Sequence, residues 1–160
     1  IIIIIALIFL IFFLLIRSCN NSYKTKSGIM YNSRDPQTAE IINILRDISF
    51  DLASKLKEPD KSLLEKRLQN TSFRELIHSD SRILGWNYNK GGEIAIRIYD
   101  ENGKMYSHEL IISTLIHELA HSLTEKFGHH ENWENKDNYL QEKFTPMYVE
   151  LFKKKTAHLK

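Results

Sequence analysis

Cysteine is almost absent from this chain. Its 160 residues include one, Cys19, so no intrachain disulfide can form. That favours a reducing compartment or a redox-indifferent fold. A strong charge bias is missing too. The formal net charge is +2, so bulk electrostatics do not call for a nucleic-acid partner. No internal repeat or low-complexity tract occurs beyond the first sixteen residues, which excludes a repeat array.

Those first sixteen residues, IIIIIALIFLIFFLLI, are all apolar. Without them about 140 residues remain, enough for one core but not two. As helix, the run measures about 24 Å, slightly short of a bilayer's roughly 30 Å core. The chain begins with Ile rather than Met, so further residues are expected ahead of it, and a few would complete a span. Arg17-Ser18-Cys19-Asn20 is a poor small-x-small cleavage site. An uncleaved single-pass anchor over 1–16 is therefore preferred to a signal peptide. Arg17, Lys24, Lys26 and Arg34 follow, with no acid before Asp35. This bias places the soluble domain on the cytosolic side of the membrane. The expected organisation is an anchor at 1–16, a polar linker at 17–37 and one domain at 38–160.

Within the domain, Ile41, Ile42, Leu45, Ile48, Leu52 and Leu56 recur at helical spacing. They predict a helix over 38–57 with Thr38 as its cap. Pro59 ends it, and Asp60 can cap a second helix over 60–70. Residues 71–81 show no clear period beyond a helical turn. A period of two then begins. Ile83, Leu84, Trp86 and Tyr88 suggest a strand at 82–88, and Ile94, Ile96 and Ile98 alternate with Glu93, Ala95, Arg97 and Tyr99 after an Asn89-Lys90-Gly91-Gly92 turn. Together they predict a β-hairpin over 82–99. Ser107 caps a strong helix running to about residue 125. Residues 134–157 read as helix with Pro146 as a kink or restart. The fold class is α+β, a small sheet packed on a helix.

That strong helix carries His117-Glu118-Leu119-Ala120-His121. Residues i and i+4 share one helical face, so both imidazoles can reach one ion. Zinc takes neutral imidazole nitrogen, and Glu118 can point to the open coordination position as general base. Leu115, Ile116 and Leu119 make this a core helix, where two His and a Glu are costly unless something satisfies them. A catalytic zinc wants a third protein ligand. His129, His130 and Glu142 are the candidates. The longer motif with Gly at 124 and His at 127 is excluded, because Thr124 and Phe127 stand there. Gly128 lets the chain turn back and favours His129, with His130 the close rival.

Residues 82–133 resemble the WLM-domain metallopeptidases, which are related to the SprT-like group. The resemblance rests on Ile83-Leu84-Gly85-Trp86-Asn87-Tyr88-Asn89, Gly91-Gly92-Glu93-Ile94 and Arg97. Ile111-Ile112-Ser113-Thr114-Leu115-Ile116 and the HELAH motif complete it. It implies a zincin-like fold and a zinc-dependent endopeptidase acting on protein or peptide substrates. It also implies a third His followed four residues later by an aromatic. His129 with Trp133 reproduces that pair, whereas His130 would place Glu134 there, so the resemblance implies His117, His121 and His129 as ligands. The stretch between His121 and His129 is longer than the family usually has. Some family members act on proteins crosslinked to DNA, and this chain ends in a basic tail, Lys153-Lys154-Lys155 and Lys160. A solvated helix end explains those lysines more simply than phosphate contact.

The first reading is thus a membrane-anchored zinc endopeptidase, with strand 93–99 offering an edge for substrate. The alternative is a structural or assembly protein of a membrane-associated complex, such as a virion shell, that retains the zinc-binding fold.

Overall fold

The computed structural model describes residues 21–159. The apolar run 1–16, and with it the expected membrane span, lies outside the described residues. Among those described, no helix is long and apolar enough to cross a membrane.

The stretch expected to be linker is partly folded. Strands β1 (Ser22–Lys24) and β2 (Met30–Asn32) pair antiparallel. Each is three residues long, and only its middle side chain turns away from solvent, so the sequence offers no periodic run to detect. The ribbon nonetheless belongs to the domain. Tyr31 is buried in the core, and its hydroxyl donates to Asn43 Oδ1 at 2.9 Å.

Helix α1 (Pro36–Lys55) is capped by Asp35, not by the expected Thr38. Asp35 Oδ1 accepts from the Thr38 backbone N–H at 2.7 Å, and Pro36 takes the first helical position, where its missing N–H costs nothing. The Ile41–Leu52 stripe faces the core. Helix α2 (Asp60–Leu68) begins after Pro59 with no side-chain cap. Asp60 instead pairs with Lys136 at 2.7 Å, joining α2 to the last helix.

Residues 71–81 contain a strand, β3 (Ser72–Glu75), where at most a helical turn was expected. Phe73 and Glu75 face inward, and a buried acid disguises the alternation that marks a strand. Glu75 is stabilised by Arg34, whose backbone N–H and Nε–H donate to it at 2.7 and 2.6 Å. The hairpin strands β4 (Gly85–Tyr88) and β5 (Glu93–Ile96) are shorter than the expected 82–99. The sheet order is β3-β5-β4, with β3 parallel and β4 antiparallel to β5. This corrects one expectation. Strand β5 is hydrogen-bonded on both sides and offers no free edge, so the edges of this sheet are β3 and β4, and β4 is the one beside α3.

Helix α3 (His108–His121) starts where expected, with the Ser107 hydroxyl accepting from the Leu110 N–H at 3.2 Å. It ends at His121, about one turn before residue 125. Helix α4 (Glu131–Thr156) starts earlier than expected and runs unbroken through Pro146, which is exposed. The inner face of the sheet, α1, α3 and α4 share one core containing Ile94, Ile96, Leu115, Ile116, Phe144 and Tyr148.

The Arg34–Glu75 contact ties the first ribbon to the sheet. We expect Arg34→Ala to lower unfolding stability by about 1–2 kcal/mol, because a buried carboxylate loses its guanidinium partner. Urea titration measures this, and an unchanged midpoint would show that the pair does not hold the ribbon.

Candidate metal centre

Helix α3 buries Leu115, Ile116, Leu119 and Ala120 in the core. This leaves His117 and His121 half-buried on one face, one turn apart. After α3 ends, the chain turns back through Gly128, whose φ of +80° is in the left-handed region that suits glycine. His129 is thereby returned over the helix. The ligand atoms of His117, His121 and His129 all lie within 4.8 Å of one another. His121 Nε2 and His129 Nε2 are 3.2 Å apart. Two imidazole nitrogens on one tetrahedral zinc, each at 2.0–2.1 Å, stand about 3.3–3.4 Å apart. The donor chemistry and the spacing both fit such an ion.

The other candidate ligands are placed elsewhere. The His130 imidazole caps α4, its Nδ1 accepting from the Trp133 N–H at 3.4 Å. Glu142 is exposed on α4 and outside the three-histidine group. Trp133 is buried with its ring centroid 4.8, 4.9 and 4.2 Å from those of His117, His121 and His129. It lies nearly parallel to His121, with an interplanar angle of 22°. It therefore limits the orientations open to all three imidazoles.

A second layer orients His117. Its Nδ1 lies 3.5 Å from Asp137 Oδ2 of α4, which leaves Nε2 for the metal side. Gln141 holds that aspartate, its Nε2 donating to Asp137 Oδ1 at 3.1 Å and to the Ser113 carbonyl at 2.8 Å. The Asp137 contact raises the His117 pKa above its ordinary value despite burial. Burial, helped by the neighbouring His117, His129 and Lys90, lowers that of His121 to about 4. His121 is thus neutral near pH 7, the form that ligates metal.

Glu118 is buried beside these histidines, and burial pushes its carboxyl up to about 7. Its position depends on Gly85 of β4. A Cβ on Gly85 would stand 2.3 Å from Glu118 Oε1 and 2.7 Å from Thr114 Cγ2. Asn87, two residues along β4, clamps strand to helix. Its Nδ2 donates to the Glu118 carbonyl at 2.6 Å and to Ser122 Oγ at 2.8 Å. Its Oδ1 accepts from the Gly91 N–H at 2.8 Å. Arg67 of α2 donates to the Ser122 carbonyl at the C-terminus of α3. Spacing along the chain could not reveal Gly85, Asn87 or Asp137 in these roles, because each acts on a residue remote in sequence.

Two open clefts of about 390 and 400 Å³ meet at Gly85, His117 and Glu118. Arg82, Ser113 and Gln141 line the first, and Trp86, Lys90 and Phe127 the second. The second runs beside β4.

The WLM domain family model matches residues 29–157. The DNA-dependent metalloprotease WSS1 of Saccharomyces cerevisiae is 28% identical over 98 residues, covering 60% of this chain. The chain spans about a third of that relative's length, since the match covers 33% of it. The crystal structure of Wss1 from the same yeast superposes with a TM-score of 0.50 at 19% identity. The alignment covers 78% of this chain and 88% of that one, and it shows a shared α+β fold.

The Gly85 contact can be tested directly. We expect Gly85→Ala to cost about 1–3 kcal/mol of stability by overpacking. Adding Glu118→Ala removes part of the obstruction, so the double variant should recover at least about 0.5 kcal/mol relative to additivity. Strictly additive urea midpoints would show that the two residues do not press on each other.

Proposed function

Because this chain belongs to the WLM domain family, we propose that it is a zinc-dependent metalloendopeptidase that hydrolyses peptide bonds in protein substrates. The observation that carries this reading is the convergence of His117, His121 and His129 beside the buried carboxyl of Glu118. His117, His121 and His129 would hold the zinc. When bound, zinc supplies Lewis-acid polarisation of a carbonyl and lowers the pKa of a water.

The chain's own residues do the rest. Glu118 is the general base that takes the proton of the attacking water and passes it to the leaving amine. Gly85 keeps the carboxyl against the strand, and Asp137 keeps the His117 ring turned to the metal side. Among the described residues, strand β4 has only β5 as a neighbour in its sheet. Its outer edge borders the cleft through Gly85, Trp86 and Asn87. An extended substrate can pair with that edge and lie across the junction of the two clefts.

The test compares wild type with Glu118→Gln, both loaded with zinc, on an unfolded protein substrate. Wild type should cleave it. The variant should keep its zinc and lose turnover by about 10²–10⁴-fold. Zinc removal by a chelator should abolish cleavage. His129→Ala should lose tight zinc binding, whereas His130→Ala should keep it. No turnover from zinc-loaded wild type would overturn the enzymatic reading.

We further propose that residues 1–16 tether the domain to a membrane as a single span, with the domain on the cytosolic side. The apolar run and the basic residues after it support this. The full chain should sediment with membranes and resist carbonate extraction, and a version starting at residue 20 should not. Carbonate release of the full chain would overturn the tether.

A further inference from the structure

A third concavity, of about 410 Å³, lies between the end of α2 and the β4–β5 turn. Its charged lining is Lys66, Arg67 and Lys90, with no carboxylate among the residues that form it. None of these three cations is ion-paired with an acid among the described residues. The fold holds them there for identifiable reasons. The turn that carries Lys90 winds through left-handed backbone at Asn89, Lys90 and Gly91, with φ of 52°, 57° and 98°. Arg67 is fixed because its Nη1 donates to carbonyls at the end of α3. This leaves Nε and Nη2 without a protein acceptor among the described residues. Lys66 is exposed at the rim.

Collecting like charges in a concave site costs free energy unless a counter-charge completes it. Burial, and after it the nearby Arg67 charge, lowers the Lys90 ammonium pKa. A guanidinium fork and two ammonium groups match the oxygens of a phosphate, which accepts several charge-assisted hydrogen bonds at once. Asn70 and Asn89 add amide donors to the same lining.

We propose that this groove is a binding site for phosphate-bearing ligands, held by Lys66, Arg67 and Lys90. The site is independent of the protease reading, but it sits beside the metal centre. Lys90 lines both the groove and the cleft at His121 and His129. Its ammonium lies 4.6 Å over the Phe127 ring and also donates to the Lys126 carbonyl. These residues belong to the segment that returns His129 to the helix. A ligand in the groove therefore competes with that segment for the Lys90 charge.

Two sources of phosphate fit, a free polyphosphate and the backbone of a nucleic-acid strand. The test uses the full chain in detergent without zinc, at ionic strength fixed with chloride. The probes are tripolyphosphate and a short oligothymidylate, each titrated calorimetrically. Lys66→Gln and Lys90→Gln should each weaken binding about three- to tenfold. Lys153→Gln, in the basic tail, should leave it unchanged. The amide NMR signals of Phe127 and Gly128 should shift on saturation in wild type and shift less in Lys90→Gln. Binding of tripolyphosphate alone supports a small phosphate ligand, and tighter binding of the oligothymidylate supports a strand. Failure of both probes to bind above the chloride background overturns the proposal. So does an equal loss in Lys153→Gln, which would mean diffuse attraction rather than a site.

Discussion

The close approach of β4 to α3 governs the rest of the site. There is no room for a side chain at residue 85, because the Glu118 carboxyl fills that space. Backbone and carboxyl can come so near only because the sheet is anchored from its far side. Ile94 and Ile96 of β5 are buried in the core, and β3 pairs with the opposite edge of β5. Asn87 then satisfies polar groups at the contact by bridging the Glu118 carbonyl, Ser122 and the turn at Gly91. The approach sets where the Glu118 carboxyl sits, leaves the outer edge of β4 facing the cleft, and directs the turn that carries Lys90.

What the sequence disclosed followed from periodicity. The α3 pattern was legible because it buries one regular apolar face, and the hairpin because two runs rich in strand-forming residues flank the Asn89-Lys90-Gly91-Gly92 turn, although Trp86 and Tyr88 of β4 face solvent and Ala95 of β5 is buried beside Ile94 and Ile96. The pair of histidines on α3 was legible because i, i+4 spacing is a local property of a helix. Strand β3 was hidden because Glu75, a carboxylate, occupies an inward position that an apolar residue usually fills. The first ribbon was hidden because strands of three residues carry too little pattern to recognise.

The third histidine shows the limit most clearly. His129 and His130 are adjacent and chemically identical, so residue type could not separate them. Their roles divide at the start of α4. Because that helix begins at Glu131, the residue before it must satisfy free backbone N–H groups, and His130 does so. An imidazole whose Nδ1 accepts from the Trp133 N–H is oriented by the helix rather than by α3. His129 lies one residue beyond that constraint, next to a glycine that permits the reversal. Helix capping thus frees His129 to face the pair on α3, and it holds Trp133 behind all three rings.

Charge distinguishes the two concavities that Lys90 separates. The three-histidine cluster gathers nitrogen lone pairs around one point, and burial keeps His121 neutral. At 3.2 Å apart, the Nε2 atoms of His121 and His129 are held together by a shared proton or by a cation. The groove on the other side of Lys90 presents the inverse problem, three cations with no acid in its lining. Each concavity is electrostatically incomplete in the opposite sense, and one side chain separates them. The Lys90 charge already helps to lower the His121 pKa, after burial and the two neighbouring imidazoles.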